Sequence, residues 1–248
     1  MIFGFGKKNK ADVCPMTDMH LHILPGIDDG SKSMEMSLNM VNRAYEEGIR
    51  SMVATPHYHP GKCVLTKAEI MPTFESFKDE AKKLHPDIRF ALGREVLYLS
   101  DTSDKILAGE NLQMADSSCM LLEYEFSCDY RTIQKSVSEI KSAGFKPIIA
   151  HVERFGCLLE DWERILELKR AGCLIQINAS DIIGDSREMR TFIKDILIEE
   201  AVDFVSTDAH RDHGRSPKMM EAAQYLYKKC DRTYVNKILS DNAELFFS

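Results

Sequence analysis

Several features that would define a membrane or nucleic-acid-binding protein are missing from this sequence. No stretch of about 18 consecutive apolar residues occurs in the chain, so no transmembrane helix is predicted. The first residues, MIFGFGKKNKADVCP, place lysines after a very short apolar run, whereas a signal peptide has basic residues before a long one. The net charge of −7 and the pI near 5.7 argue against nucleic acid or an anionic membrane as the main partner.

Cysteine is present but shows none of the patterns that give it a structural role. The seven cysteines are odd in number, are scattered along the chain and include no CxxC pair. A disulfide framework or a structural zinc site would need closely or regularly spaced cysteines. The sequence therefore predicts reduced thiols and a cytoplasmic protein.

Strand-like and helix-like segments alternate along the chain. Helical segments with a period near 3.6 include SMEMSLNMVNRAYEEG, TIQKSVSEIKSAG and EDWERILELKRAG, and each of the three ends in glycine just before the next strand. The strand-length runs are residues 17–22, 50–55, 88–95, 119–124, 147–151, 173–178 and 203–207.

This alternation predicts one α/β domain with a parallel sheet. About seven repeats favour a closed or nearly closed barrel, with a doubly wound open sheet as the alternative, and such barrels commonly reach this length as one domain. We assign residues 16–248 to the barrel and residues 1–15 to a mobile or oligomer-forming N-terminal extension. Residues 57–67 and 180–190 are predicted to be long loops near the functional site.

Histidines and carboxylates recur at or just after the predicted strand ends. TDMHLH places His20 and His22 two apart on one strand, so both imidazoles point the same way. The C-terminal ends of parallel barrel strands converge on one face, so the recurring residues should meet there. The candidate metal ligands are His20, His22, Asp29, His57, Glu95, Glu123, His151, Asp208 and His210.

These residue types indicate a particular class of metal site. Imidazoles and carboxylates without a thiolate suit Mn, Fe, Zn or Mg better than Cu(I) or a structural zinc. A single histidine on an apolar strand is more often a core residue, but repetition at successive strand ends favours a metal centre. Nine ligands are too many for one ion, and two or three ions bridged by carboxylates would use them all.

Neighbouring residues have roles that the sequence leaves open. Asp28 is interpreted as a turn former beside Gly30, with ligation as the alternative. His59 and His213 are interpreted as solvated side chains, with acid catalysis as the alternative. Glu125 shares a face with Glu123 only if that strand continues.

The metal candidates and two arginines point to phosphate chemistry. Metal pairs about 3.5–4 Å apart suit phosphoester hydrolysis. Arg154 in HVER and Arg215 in DAHRDHGR have guanidinium groups that match phosphate oxygens, although surface ion pairs are the alternative. No cysteine is followed six positions later by arginine, so the CxxxxxR loop of thiol-based phosphatases is absent. The predicted reaction is hydrolysis of a phosphate monoester without a covalent phosphoenzyme.

Six segments, taken in order, resemble a known family. HLHILPGIDDGSKS, ATPH, GREV, LLEYEFS, IAHVERF and STDAHRDHGR are similar to motifs of the polymerase and histidinol phosphatase (PHP) superfamily. More narrowly, they resemble its bacterial tyrosine-phosphatase branch, found with capsular and extracellular polysaccharide synthesis genes. The resemblance runs from about residue 17 to DNAELF near the C-terminus. The N-terminal extension and HYHPGK after the second strand depart from the family pattern.

The resemblance implies a distorted (β/α)7 TIM-like barrel with a trinuclear centre at the C-terminal strand ends. Manganese is the usual ion, with Fe, Zn, Co and Mg as alternatives, and the family's metal positions fall on the nine candidates. Its phosphate-binding arginines fall on Arg154 and Arg215. Apart from the resemblance, we expect a metal or a nearby acid such as Asp208 or His210 to assist the leaving group. The implied substrate is phosphotyrosine on the tail of a bacterial tyrosine autokinase that controls polysaccharide export, and an oligomer is compatible with the family.

Three alternatives remain beside this function. The same superfamily supports small-molecule phosphatases such as those acting on histidinol phosphate. A barrel amidohydrolase or lactonase would use a carboxylated lysine or a lone catalytic aspartate, and no predicted strand end offers a lysine. A non-catalytic regulator that binds the kinase tail is the reading without enzymatic activity.

Overall fold

The computed structural model describes residues 13–247. Residues 1–12 lie outside this range, so the mobile or oligomer-forming extension stays a prediction. The strands within the described residues all pair in parallel. They are β1 (Met16–Leu21), β2 (Ile49–Ala54), β3 (His57–Tyr58), β4 (Arg89–Leu92), β5 (Glu95–Leu97), β6 (Cys119–Glu123), β7 (Lys146–Ile149), β8 (Leu174–Asn178) and β9 (Phe204–Ser206).

The strands occupy seven positions around one curved parallel sheet, and each position is called a stave. They are hydrogen-bonded in the orders β1-β2-β4 and β3-β5-β6-β7-β8-β9. Only Thr55 and Pro56 separate β2 from β3, and only Gly93 and Arg94 separate β4 from β5. β2 pairs with β4, and β3 pairs with β5. We therefore count β2 and β3 as one interrupted stave and β4 and β5 as another.

The residues just after β9 pair with β1 and so close the barrel. Leu21 and Ala209 form an isolated parallel bridge. The Asp208 N–H donates to the His20 carbonyl at 2.9 Å, and the His22 N–H donates to the Ala209 carbonyl at 2.8 Å. The prediction of a distorted (β/α)7 barrel is therefore confirmed, and the open sheet is excluded.

Helices connect the staves and cover the outside of the barrel. Ser33 caps the first helix by accepting from the Met36 N–H, and Gly48 ends it with φ 95°, a left-handed conformation that suits a residue without a Cβ. The α-helices are α1 (Met34–Glu47), α2 (Lys67–Leu84), α3 (Thr102–Leu107), α4 (Tyr130–Ser142), α5 (Gly156–Leu159), α6 (Glu163–Arg170), α7 (Ala179–Ile182), α8 (Arg187–Ile198), α9 (Met220–Lys229) and α10 (Arg232–Leu239). Short 3-10 helices cover Val152–Arg154 and Asp241–Phe246.

The interior of the barrel is filled by its own apolar cluster. Met19, Val53, Leu121, Ile148 and Phe204 come from five different staves and pack together, separately from the larger cluster under the helices. The 3-10 helix at the C-terminus adds Ala243 and Phe246 to this interior cluster. That helix therefore closes the N-terminal end of the barrel, leaving the opposite end for the polar side chains.

The predicted strand at 88–95 is wrong as a single element. Gly93 and Arg94 interrupt it, and a Cβ at Gly93 would lie 2.7 Å from the Met114 sulfur. As a result, Glu95 begins β5 instead of ending a strand, and His57 likewise begins β3.

The buried guanidinium of Arg94 explains this interruption. It donates to the carbonyls of Pro56, Leu65 and His57 at 3.2, 2.5 and 2.6 Å. These bonds tie the segment after β2 to the third stave.

Two predicted loops contain more regular structure than expected. Residues 57–67 include β3 and an antiparallel bridge between His59 and Cys63. Residues 180–190 include most of α7 and the start of α8. Among residues 13–247, no helix combines the length and apolar character that crossing a membrane requires.

Candidate metal centre

An irregularity in β1 brings both of its histidines to the centre. The pairing of β1 with β2 shifts register between Asp18 and Leu21. Met19 packs inside the barrel, yet His20, the next residue, also reaches the polar end of the interior. Successive residues of a regular strand point to opposite faces, and a bulge re-aims side chains in this way.

Glu95 lies at the middle of the cluster and is 1% exposed. Its Oε1 is 3.1 Å from His20 Nε2 and 2.9 Å from His151 Nε2. Its Oε2 is 3.1 Å from His22 Nε2 and 3.0 Å from His57 Nδ1. One carboxylate therefore faces four imidazoles that come from three different staves.

Asp208 forms the side of the cluster that carries the arginines. Its Oδ1 lies 3.6 Å from His20 Nε2 and 3.4 Å from His22 Nε2. Its Oδ2 lies 2.7 Å from both Arg154 Nη1 and Arg215 Nη2. The two predicted phosphate-binding groups thus converge beside the histidines.

The third part of the cluster lies nearest to solvent. Asp29 Oδ1 is 3.3 Å from His57 Nε2 and 3.4 Å from His210 Nε2, and Glu123 Oε1 is 2.8 Å from His57 Nδ1. The sequence did not single out Lys62, whose Nζ lies 2.7 Å from His57 Nε2 and 3.3 Å from Asp29 Oδ2. Lys62 could have been identified from its position in HYHPGK, because this segment contains the candidate ligand His57.

The structure brings all nine predicted ligands together in four overlapping groups. Two atoms bound to one ion at about 2.1 Å each lie within about 4.2 Å of one another. In each group one ligand atom per residue lies within 4.8 Å of all the others. The groups are His22, Asp29, His57 and His210; His20, His22 and Asp208; His20, Glu95 and His151; and His57, Glu95 and Glu123.

Unpartnered buried atoms test whether this cluster fits divalent cations. Buried polar atoms without a hydrogen bond are costly and need an explanation. Seven atoms of the cluster lie close to other polar atoms but have no partner in hydrogen-bonding geometry. They are His20 Nε2, His22 Nε2, Asp29 Oδ1, His57 Nδ1, Glu95 Oε2, Glu123 Oε1 and His151 Nδ1. Metal cations would give such nitrogens and carboxylate oxygens the partner that they lack.

The electrostatics also favour cations at this site. Burial opposes ionisation of Glu95, but the surrounding imidazoles, His20 first, hold the pKa of its carboxyl well below the usual range. Burial likewise opposes a charge on His57, but the neighbouring carboxylates of Asp29, Glu123 and Glu95 raise its pKa to about 10. Without a metal the imidazoles must carry the positive charge, and a protonated imidazole nitrogen cannot be a ligand.

Two candidate ligands have strained backbones. His151 and Asp208 adopt φ values of 32° and 50°, in the left-handed region that non-glycine residues rarely occupy. Each such residue costs on the order of 1–3 kcal/mol and persists only where the surroundings fix it. Both residues lie two positions after the end of a strand, where their side chains reach the other candidate ligands.

The residues with open roles divide into two kinds. Asp28 lies next to the centre, because its Oδ2 accepts from His22 Nδ1 at 2.8 Å and from the His57 N–H at 3.0 Å. The others do not join the groups of ligand atoms. Glu125 is exposed after β6 has ended, His213 is exposed beside Asp212, and His59 accepts from the Gly61 N–H.

The chain is similar to a family of bacterial proteins over nearly its whole length. The model of that family, described as "Capsular polysaccharide synthesis, CpsB/CapC", matches residues 16–248. The tyrosine-protein phosphatase CpsB of Streptococcus pneumoniae is 30% identical over 233 residues, covering 92% of this chain and 96% of the relative. The tyrosine-protein phosphatase YwqE of Bacillus subtilis is 26% identical over 231 residues, covering 93% of this chain and 91% of the relative.

Solved structures give the same result. One from work on B. subtilis YwqE and S. pneumoniae CpsB, described as unique metal-dependent tyrosine phosphatases, matches with a TM-score of 0.82 and 26% identity. It covers 93% of this chain and 94% of that one. The histidinol phosphate phosphatase of Lactococcus lactis has a TM-score of 0.58 at 16% identity, covers 87% of this chain and 94% of that one, and shares the fold alone. The family predicted from the motifs is therefore confirmed: the chain belongs to the CpsB/CapC family of capsular polysaccharide synthesis.

Proposed function

We propose that this chain is a metal-dependent protein-tyrosine phosphatase in which the nine clustered side chains bind two or three divalent cations. The observation that carries the proposal is the set of four overlapping ligand groups, which share His20, His22, His57 and Glu95 and contain seven buried atoms without a hydrogen bond. The catalytic unit is the single domain of residues 16–248. Relatives named tyrosine-protein phosphatases over nearly the same length support this assignment.

Manganese is the ion that we propose first, because imidazole and carboxylate ligands without thiolate suit it; Fe, Zn, Co and Mg are the alternatives. Glu95 would help to hold more than one ion, since each of its oxygens lies beside two different imidazoles. When bound, the ions supply an activated water and neutralise charge on the phosphoryl group.

The two arginines would bind the phosphoryl oxygens of the substrate. The Arg215 side chain is 51% exposed and the Arg154 side chain 29% exposed, so a phosphate in solvent could reach both guanidinium groups. Asp208 Oδ2 lies 2.7 Å from one nitrogen of each guanidinium group, and each group has further N–H donors that could bind phosphate oxygens. Two positioned cations would stabilise the charge that develops on the transferred group.

Asp208 and His210 act in positioning and binding in this proposal, not as proton donors. Burial opposes ionisation of Asp208, but His20 and the other imidazoles hold its pKa well below the usual range, so it has no proton to give. The His210 Nδ1 donates to the Asp208 carbonyl at 3.0 Å, which leaves Nε2 as the unprotonated nitrogen of the neutral ring. A phenolate leaving group, with a pKa near 10, needs little acid assistance.

The proposed physiological substrate is a phosphotyrosine protein of polysaccharide synthesis, in the cytoplasm. The tyrosine-rich tail of a bacterial autokinase is the form of that substrate which the family resemblance implies.

The test begins with protein that a chelator has stripped of metal. Mn²⁺, Zn²⁺, Fe²⁺, Co²⁺ or Mg²⁺ is added back singly, with phosphotyrosine peptide, phosphoserine peptide and histidinol phosphate as parallel substrates. We expect one transition metal to restore hydrolysis and phosphotyrosine to be the preferred substrate. Activity on histidinol phosphate alone, or none with any metal, would contradict the proposal.

A matched pair of arginine variants tests the phosphate-binding role. Arg215→Ala should lower kcat/KM for the phosphotyrosine peptide by about 10²–10³-fold, the usual cost of losing one group that stabilises transition-state charge. Arg211→Ala removes an exposed arginine four positions away that makes no side-chain contact with Asp208 among the described bonds, and it should leave kcat/KM unchanged. Equal losses in the two variants would show that only general surface charge matters.

A further inference from the structure

Gln176 is a fully buried amide that the metal candidates surround but do not include. It lies on β8, in LIQIN, where it alternates with the buried residues Ile175 and Ile177. Its Oε1 is 3.1 Å from His20 Nδ1 and 2.7 Å from the backbone nitrogen of His151. Its Nε2 donates to Asn178 Oδ1 at 3.0 Å. One side chain therefore contacts two candidate ligands from two different staves.

The backbone fixes which way the Gln176 amide points. A backbone N–H can only donate, so the amide atom that faces the His151 nitrogen must be the oxygen. That same oxygen faces His20 Nδ1, so Nδ1 must carry a hydrogen in order to bond to it.

The consequence reaches the other nitrogen of His20. In the neutral ring only one nitrogen carries hydrogen, so Nε2 is left with a free lone pair. This Nε2 is buried, has no hydrogen-bond partner and lies 3.1 Å from Glu95 Oε1. The lone pair is thus directed into the group formed by His20, Glu95 and His151.

A second pair of residues repeats the arrangement with a different acceptor. Asp28 Oδ2 faces His22 Nδ1 at 2.8 Å and also accepts from the backbone N–H of His57 at 3.0 Å. In both cases an acceptor anchored by the backbone of one candidate ligand holds the ring of another. The difference is that Asp28 is a carboxylate, whereas Gln176 is neutral and adds no charge to a buried site.

We propose that Gln176 is a positioning residue that locks His20 as the Nδ1–H tautomer and so presents Nε2 to a metal ion. The inference rests on the proposed function, because it assigns a purpose to His20 only if the cluster binds metal. Outer partners of metal-binding histidines orient the ring and raise the basicity of the ligand nitrogen.

The test compares two buried isosteric changes on the same face of β8. Gln176→Met removes the acceptor, and Asn178→Leu removes an amide that contacts no candidate ligand. Mn²⁺ dissociation constants are measured on chelator-stripped proteins by competition with a chelator of known affinity, and circular dichroism checks that each metal-free variant is folded. Gln176→Met should weaken Mn²⁺ binding by about 10- to 100-fold. Asn178→Leu should leave the dissociation constant unchanged, and Gln176→Glu, which keeps an acceptor, should recover the affinity.

A spectroscopic readout keeps the inference testable if Gln176→Met folds poorly. Long-range ¹H–¹⁵N correlation on the Zn²⁺-loaded wild type should show hydrogen on His20 Nδ1, and hydrogen on Nε2 would overturn the inference. Equal affinities for wild type and Gln176→Met would also overturn it. If the wild type binds metal and hydrolyses phosphotyrosine while Gln176→Met does so equally well, only this inference fails. A wild type that binds no metal overturns the proposed function as well.

Discussion

The two ends of the barrel interior are built on opposite principles. At the N-terminal end, Met19, Leu121, Ile148 and Phe204 fill the space and the C-terminal 3-10 helix covers it. At the C-terminal end, most of the imidazoles and carboxylates are also buried, but many of their atoms lack a hydrogen bond. Apolar burial contributes stability to the first end, whereas the second end is a local cost that only a bound partner removes. The contrast indicates that the apolar end stabilises the barrel, and this stability allows the polar end to keep buried atoms without hydrogen bonds.

The largest effect should come from changing the carboxylate at the polar end. Glu95→Gln keeps the size of the side chain but replaces a charged ligand beside four imidazoles with a neutral amide. We expect kcat/KM for a phosphotyrosine peptide to fall by about 10³-fold, while the metal-free variant still unfolds cooperatively because the apolar cluster at the other end of the barrel is unchanged. Metal-reconstituted kinetics and urea unfolding measure the two quantities. A variant that retains activity but unfolds far more easily would reverse the contrast.

A cavity at the apolar end should have the opposite signature. Phe204→Ala removes a buried ring 5.9 Å from that of Phe246 and should lower the unfolding free energy by about 3–5 kcal/mol. The kcat/KM of the folded fraction, assayed at low temperature with metal, should stay within about threefold of wild type, since distant sites act independently. Leu107→Ala, at an exposed position on α3, is the control and should cost about 0.5 kcal/mol or less. Loss of activity without loss of stability in Phe204→Ala would contradict this division of roles.

The smallest effect concerns the ion pair that holds the C-terminal 3-10 helix to the start of β4. Arg89 donates to both oxygens of Glu244, and these hydrogen bonds lower the pKa of the Glu244 carboxyl. Both side chains are about half exposed, so Glu244→Gln should cost about 0.2–1 kcal/mol at neutral pH. A carboxyl with a lowered folded-state pKa stabilises the fold above its unfolded-state pKa, and this contribution is lost as the pH falls through the lower value.

The difference between wild type and Glu244→Gln should therefore shrink below about pH 4. Urea unfolding at neutral and acidic pH measures it. Glu80→Gln, which breaks the exposed Lys83–Glu80 pair on α2, is the matched control. A difference that grows on acidification would contradict the assignment.

The candidate ligands could be picked out from the sequence because they lie at or just after the ends of predicted strands. His22 and His151 end apolar strand-length runs and Asp208 follows one, and parallel topology alone brings such positions together. The interruption of the third stave could not be predicted in the same way. It depends on the close approach of Met114 to Gly93 and on carbonyls that Arg94 reaches across the fold, and neither contact leaves a local pattern.

The supporting residues were missed for a related reason. Gln176 contacts His20 and His151, which are 156 and 25 residues away in sequence. Gln176 alternates with isoleucines in the same period of two that identified His20 and His22. A neutral amide is not a typical metal ligand, however, so this pattern did not mark Gln176 as part of the site. The role of Asp28 could not be predicted, because an aspartate that forms a turn and one that holds a histidine ring look alike in sequence.

Barrel closure between Leu21 and Ala209 also has a consequence for the order of events during synthesis. A chain that emerges from the ribosome N-terminus first exposes His20 and His22 long before Asp208 and His210 exist. A product interrupted before residue 208 would contain seven of the nine candidate ligands, yet it would lack the Asp208 and Ala209 backbone groups that bond to His20 and His22. Ion loading would then be a late step of biogenesis, and full occupancy would distinguish finished molecules from incomplete ones.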